Sequence, residues 1–137
     1  MMRPRLMVIA AVTAAVFGVA TPATLASGGD HLTVTVTEAG HLDGHFELYC
    51  HPAGGTHRHP REACEQLDKQ THWGKDLFAP VPKKEICAMV YSGPQRARVS
   101  GHWAGRPVDA VFNRTNGCET ARWNRFSELL GTPEATA

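Results

Sequence analysis

Leu32-Thr33-Val34-Thr35-Val36-Thr37 alternates apolar and polar residues without a fault. A period of two places Leu32, Val34 and Val36 on one face and the threonines on the other, which describes a strand with one side in a core and one in water. The neighbouring sequence extends that reading. Glu38 to Gly44 is a glycine-bearing turn region, and His45 to Cys50 reads as a second strand with Phe46 and Leu48 sharing a face. Pro52 to Thr56 reads as a loop. Arg96-Ala97-Arg98-Val99-Ser100 alternates again, leads to Trp103, turns around Ala104-Gly105 and returns over Val108 to Phe112, which is a hairpin. Pro60 to Leu67 opens with proline and carries early acids, which predicts a short helix with Ala63, Cys64 and Leu67 inward. Arg122 to Leu130 predicts a terminal helix with Trp123, Phe126 and Leu130 at helical spacing. Thr71 to Pro82 is broken by Gly74, Pro80 and Pro82 and reads as irregular. Strands predominate and no βαβ rhythm is present, so the class is α+β with an antiparallel sheet.

The chain has 137 residues, enough for one domain. Its start does not belong to that domain. Arg3 and Arg5 form a basic opening, Leu6 to Ala20 is an apolar stretch, and Thr24-Leu25-Ala26 supplies small residues for cleavage. These are the parts of a secretory signal peptide, too short and wrongly flanked for a membrane span. Residues 1–26 are therefore read as a leader and 27–137 as an exported, extracellular domain. Without Arg3 and Arg5 the 14 basic residues become 12 against 13 acidic ones. A near-neutral balance leaves no electrostatic footprint for nucleic acid or an anionic membrane surface.

All four cysteines, Cys50, Cys64, Cys87 and Cys118, lie in the exported part. An even count in that compartment reads as two disulfides. Of the three pairings, the expected one is Cys50–Cys64 with Cys87–Cys118, which do not interleave and close one short loop and one about twice as long. Each bridge then contributes about 3–4 kcal/mol on the chain-entropy account. No C-x-x-C pair is present to suggest structural zinc.

Cys87-Ala88-Met89-Val90-Tyr91-Ser92 has the form of a protease substrate that has been tied down. Met89 is unbranched and apolar, and a cysteine two residues upstream can anchor the segment. Alternation alone also permits a buried strand with a core methionine here. Other segments settle the choice. Leu48-Tyr49-Cys50, Gly55-Thr56-His57, Ala63-Cys64 and Leu67, Ile86 to Tyr91, Gly101-His102-Trp103-Ala104-Gly105, Val111-Phe112-Asn113 and Asn116-Gly117-Cys118 together resemble the Streptomyces subtilisin inhibitor family of secreted serine-protease inhibitors. The resemblance runs from about Leu32 to Cys118, and its Cys-x-Met-Val-Tyr segment is specific.

The resemblance implies a five-stranded antiparallel sheet with two helices on one face, disulfides joining the first cysteine to the second and the third to the fourth, and homodimers packed sheet on sheet. It implies a reactive bond at Met89–Val90, with Ile86, Cys87, Ala88, Met89, Val90 and Tyr91 lining the enzyme cleft and subtilisin-like or chymotrypsin-like serine proteases as partners. Asn116, two residues before Cys118, is expected to support the loop backbone. The chain departs from the family pattern in two places beside the loop. Ala88 stands where the family often has proline, at a preorganisation cost of about 0.4–1 kcal/mol. Ser92-Gly93-Pro94 replaces a common Asp-Pro, as a one-residue insertion. The terminus after Cys118 is poorly matched.

The physics of such inhibition is direct. A serine protease takes its substrate as an extended strand and attacks the carbonyl of the residue before the scissile bond. A loop already held in shape loses little freedom on binding. If the bond is cut, a tethered amine at Val90 competes with water for the acyl group.

The other constellation is histidine. Eight are present, with His51, His57 and His59 clustered and His72 near in sequence. A secreted metal-binding or structural module is the alternative reading, against surface and loop histidines as the ordinary one. His57 and His59 on an extended segment would face opposite sides, a poor chelate, so no metal or cofactor is expected. No nucleophile elbow, H-E-x-x-H or paired-carboxylate signature is present, and Ser92 and Ser100 have no identifiable base nearby, so the chain does not read as an enzyme. Trp73, Trp103 and Trp123 are expected in the core or a dimer interface.

Overall fold

The computed structural model describes residues 14–16, 18 and 29–134. The expected leader and its cleavage point after Ala26 lie outside these residues, apart from Ala14, Ala15, Val16 and Gly18. Among the described residues no helix is long and apolar enough to cross a membrane.

Five strands form one antiparallel sheet: β1 (His31–Thr37), β2 (Gly44–Tyr49), β3 (Gly54–Gly55), β4 (Arg96–Trp103) and β5 (Arg106–Phe112), in the order β3-β2-β1-β4-β5. The helices are α1 (Pro60–Gln70), α2 (Gly117–Arg125) and the four-residue α3 (Ser127–Leu130). The register places Leu32 opposite Leu48 and Gly101, and Val34 opposite Phe46 and Val99. The inward positions of β1 are sealed: Leu32 and Val34 are fully buried and Val36 nearly so. Leu48, Val99, Phe112, Leu67, Trp123 and Phe126 join them in one core. Each such side chain removed from water contributes about 1.5–3 kcal/mol.

The fifth strand, implied by the resemblance, lies where the sequence reads as loop. Two glycines carry no side-chain alternation, so β3 leaves no period to detect. Gly55 has φ +99, and a Cβ there would lie 2.2 Å from the Glu47 carbonyl oxygen, so the edge strand can approach β2 only as glycine.

The terminal helix departs from expectation. It begins at Gly117, five residues earlier than predicted, because the Asn116 Oδ1 accepts the Glu119 N–H at 2.9 Å and caps it. It then breaks at Phe126, whose backbone (φ −112, ψ 28) is not helical. The break lets the Phe126 ring stack on Phe78 at 5.2 Å and meet Phe112 edge-on at 5.1 Å, while Leu129 and Leu130 stay buried. Gln66 of α1 secures the second piece: its Nε2 donates to Ser127 Oγ and its Oε1 accepts the Glu128 N–H.

Trp103 and Trp123 are buried, while Trp73 is fully exposed on the irregular segment after α1 and takes no part in the core. One further expectation is corrected. His57 is buried, not a surface histidine. Its Nε2–H donates to the Leu129 carbonyl at 2.8 Å and its Nδ1 accepts the His59 N–H at 3.0 Å, so the neutral ring joins the β3–α1 connection to α3. Burial, the largest influence, holds its pKa below the usual 6.5. The folded state therefore binds fewer protons than the unfolded chain, and stability is complete above about pH 6.5 and falls as the pH drops below it. His57→Leu should cost about 1–3 kcal/mol at pH 7.5 by leaving both partners unpaired, and should flatten the decline between pH 6.5 and 5. Urea denaturation of both proteins at pH 7.5 and pH 5 measures this. His51 works in the opposite direction. Its Nδ1 meets Asp30 at 2.6 Å and its Nε2 meets Asp68 at 3.0 Å, and these bonds, Asp68 first, raise its pKa, so its contribution is present below 6.5 and is lost as pH rises through the raised value.

Candidate functional site

Residues 86–91 belong to no helix or strand and sit between the turn Pro82–Glu85, closed by Glu85 N–H to Pro82 O at 3.0 Å, and the start of β4. Their apolar side chains face water. Ile86 is 96% exposed, Met89 89%, Val90 59% and Tyr91 63%. A run of four large apolar side chains outside the core is expensive for a folded chain to leave uncovered, and such runs mark contact surfaces. The buried-strand alternative for Met89 is excluded.

The loop is held from behind. Cys87 is bonded to Cys118 at the start of α2, and Cys50 to Cys64 of α1. The first of these bridges fixes the chain two residues before Met89. One residue nearer, the Gly117 N–H donates to the Ala88 carbonyl at 2.8 Å. On the far side the Ser92 N–H donates to the Arg114 carbonyl, also at 2.8 Å. The single connection between β5 and α2 thus clasps both flanks of Met89–Val90. Gly117 admits this contact because it is small: a Cβ there would already stand 3.2 Å from the Ala88 Cβ.

Asn116 sits in this connection. Its described side-chain bond is the cap to Glu119, and the bond to the loop comes from the next residue, Gly117. Arg122, which the sequence showed only as the start of a helix, anchors the approach to the loop. Its guanidinium is buried over the Phe112 ring at 4.0 Å and donates to the carbonyls of Phe78, Ala79 and Val111. Burial is the main influence lowering its pKa. The signal for this role, an arginine on the apolar stripe of a predicted helix, was available in the sequence. The partners were not, because they are backbone carbonyls 11 to 44 residues away.

Ser92-Gly93 carries the chain from the loop toward β4. Gly93 is buried with φ +135, and a Cβ on it would lie 2.2 Å from Gln95 Oε1. Gln95 is itself buried. Gly93→Ala should therefore displace the Ser92 anchor and make the loop at least several-fold more sensitive to cleavage by thermolysin at fixed temperature, with both disulfides intact. Equal cleavage rates would show that Gly93 does not help to fix the loop.

A profile of the subtilisin inhibitor-like family matches residues 26–116. The chain belongs to the subtilisin inhibitor-like family. It is accordingly an inhibitor of proteases and not an enzyme. Among solved structures, it is similar to Streptomyces caespitosus sermetstatin in complex with Bacillus licheniformis subtilisin, at 27% identity over 72% of this chain and 91% of that one, with a TM-score of 0.40. No curated protein matches it.

The histidines do not gather into a ligand set. His51 lies between two aspartates, His57 is enclosed, and His59 is exposed at the entrance to α1. Among the described residues no group of three or more His, Cys, Asp or Glu side chains is arranged to hold a metal ion.

Proposed function

We propose that this protein inhibits subtilisin-like serine endopeptidases by offering Met89–Val90 as a scissile bond in a loop that it does not release. The observation that carries this reading is the exposure of Met89 at the tip of a segment fixed on both sides by the Arg114–Gly117 connection and, upstream, by a disulfide. Family membership supports the same role. Met89 suits an apolar specificity pocket, Ile86 a second apolar subsite, and Tyr91 supplies contact on the other side. An acidic, trypsin-type pocket would be left with an unpaired charge. Titrating subtilisin with the protein should remove activity linearly to one inhibitor loop per enzyme. No loss of activity at micromolar protein would end this reading.

A second copy of the chain is the partner this reading assigns to the open face of the sheet. Thr33, Thr35, Arg98 and Val111 point away from the helices there, and Arg98 pairs with Asp109 at 3.0 Å. The face runs across β2, β1, β4 and β5 and carries charges of both signs, and a two-fold interface sets one such patch against itself. Sedimentation would show a dimer, and a monomer at 100 µM would remove it. The leader-like start of the sequence and the two disulfides, which persist in oxidising compartments, support export as part of this reading.

A further inference from the structure

We propose that Arg114 is a positioning residue that keeps the Val90 side of the cut loop in place for resealing. The proposal rests on the inhibitor reading above and assigns a role to a residue that lies between the family-like segments Val111-Phe112-Asn113 and Asn116-Gly117-Cys118.

Cutting Met89–Val90 creates two ends with unequal restraint. The upstream end is tied covalently through Cys87–Cys118, and the Ala88 carbonyl is bonded to the Gly117 N–H. The downstream end has no covalent tie. Its first anchor is the Ser92 N–H bond to the Arg114 carbonyl, and the next is Gln95, buried just before β4. With the Ser92 bond the free arm is Val90-Tyr91. Without it the arm runs from Val90 to Pro94, two and a half times as long. Effective concentration falls with tether length to about the −3/2 power or more steeply, so losing this bond should dilute the Val90 amine roughly fourfold or more at the acyl group.

The carbonyl that makes the bond is held by its own side chain. Residues 113–116 form a short bridge in which Asn113 Oδ1 accepts both the N–H and the hydroxyl of Thr115. From that bridge the Arg114 side chain crosses to α2, where Nη1 donates to Asn124 Oδ1 at 2.9 Å and the guanidinium lies 5.8 Å from the centre of the Trp123 ring. Trp123 is fully buried. The side chain therefore fixes where the carbonyl points, and the rigid end of that chain of contacts is the core. The brace acts at Ser92, beside one of the two positions where the chain departs from the pattern of the inhibitors it resembles, and supplies restraint there.

Two readouts test the proposal and separate it from the inhibitor reading. Amide hydrogen exchange of the free protein needs no protease. Arg114→Ala should speed exchange at Ser92 at least tenfold while Val99 and Leu48 in the sheet keep their protection, and Arg114→Lys should restore part of it. Asn124→Ala removes only an exposed partner and should move Ser92 in the same direction if Arg114→Ala does not fold. Unchanged Ser92 exchange in every folded variant overturns the proposal. In the second readout, the nicked-to-intact ratio at equilibrium with catalytic subtilisin should rise roughly fourfold or more in Arg114→Ala and fall back in Arg114→Lys, and an unchanged ratio also overturns it. If wild-type protein fails to inhibit subtilisin while Ser92 still responds to Arg114, the brace stands and the inhibitor reading falls.

Discussion

Met89→Lys should weaken inhibition of subtilisin at least a hundredfold and create inhibition of trypsin. Met89 is 89% exposed, so the substitution disturbs no core contact and the protein should unfold at the temperature of the parent. The effect arises in the complex. An apolar pocket that accepts the methionine side chain gains about 1.5–3 kcal/mol from its burial. A lysine there loses that gain and brings a charge with no partner, a situation that costs about 2–5 kcal/mol at interfaces. A pocket with a carboxylate at its base reverses both terms. Parallel titrations of the two enzymes with the two proteins measure the exchange. An unchanged profile would mean that Met89 does not enter the pocket.

The second large effect concerns the bridge behind the loop. Replacing Cys87 and Cys118 together by serine should cost about 4 kcal/mol of stability, from a sequence separation of 31 residues. Removing Cys50 and Cys64, 14 residues apart, should cost about 3 kcal/mol. The two variants are thus nearly matched in stability and differ in what they release. Without Cys87–Cys118 the loop keeps only the Gly117–Ala88 and Ser92–Arg114 hydrogen bonds, each worth about 1 kcal/mol. Subtilisin should then consume that variant as a substrate at a temperature where both variants are folded. The Cys50–Cys64 variant should still inhibit, because α1 lies away from the loop. If both variants inhibited equally, the bridge would be stabilising the fold and not presenting the loop.

Much of this architecture was legible in the residues. Alternation in Leu32–Thr37 and Arg96–Ser100 located the central strands, because one face of the sheet is buried and period two has no competing explanation there. Pro60 with Glu62 marked the start of α1 for the same local reason, and the helix outran the reading to Gln70. The elements that were missed depend on contacts distant in sequence. β3 consists of two glycines whose only qualification is their fit against Glu47. The break at Phe126 is set by Phe78 and Phe112, which no window around the helix contains. His57 looked like a loop residue because its burial is provided by α3, 72 residues away. At the site, the family motif and Cys87 pointed to the loop, and the structure leaves it exposed. The clasp that holds it, formed by the Arg114 carbonyl and the Gly117 N–H, is made of backbone atoms and has no side-chain signature. That is why Asn116 stood out in the sequence although the neighbouring Gly117 makes the bond.

Restraint on both sides of Met89–Val90 has a thermodynamic consequence that can be read in a single experiment. Protein nicked at that bond, purified and mixed with a catalytic amount of subtilisin at neutral pH, should be resealed until nicked and intact chains reach the same ratio that is approached from intact protein. The account predicts convergence of the two approaches, with a substantial intact fraction. Nicked chains that stay nicked, or go on to be degraded while intact protein is steadily consumed, would contradict it.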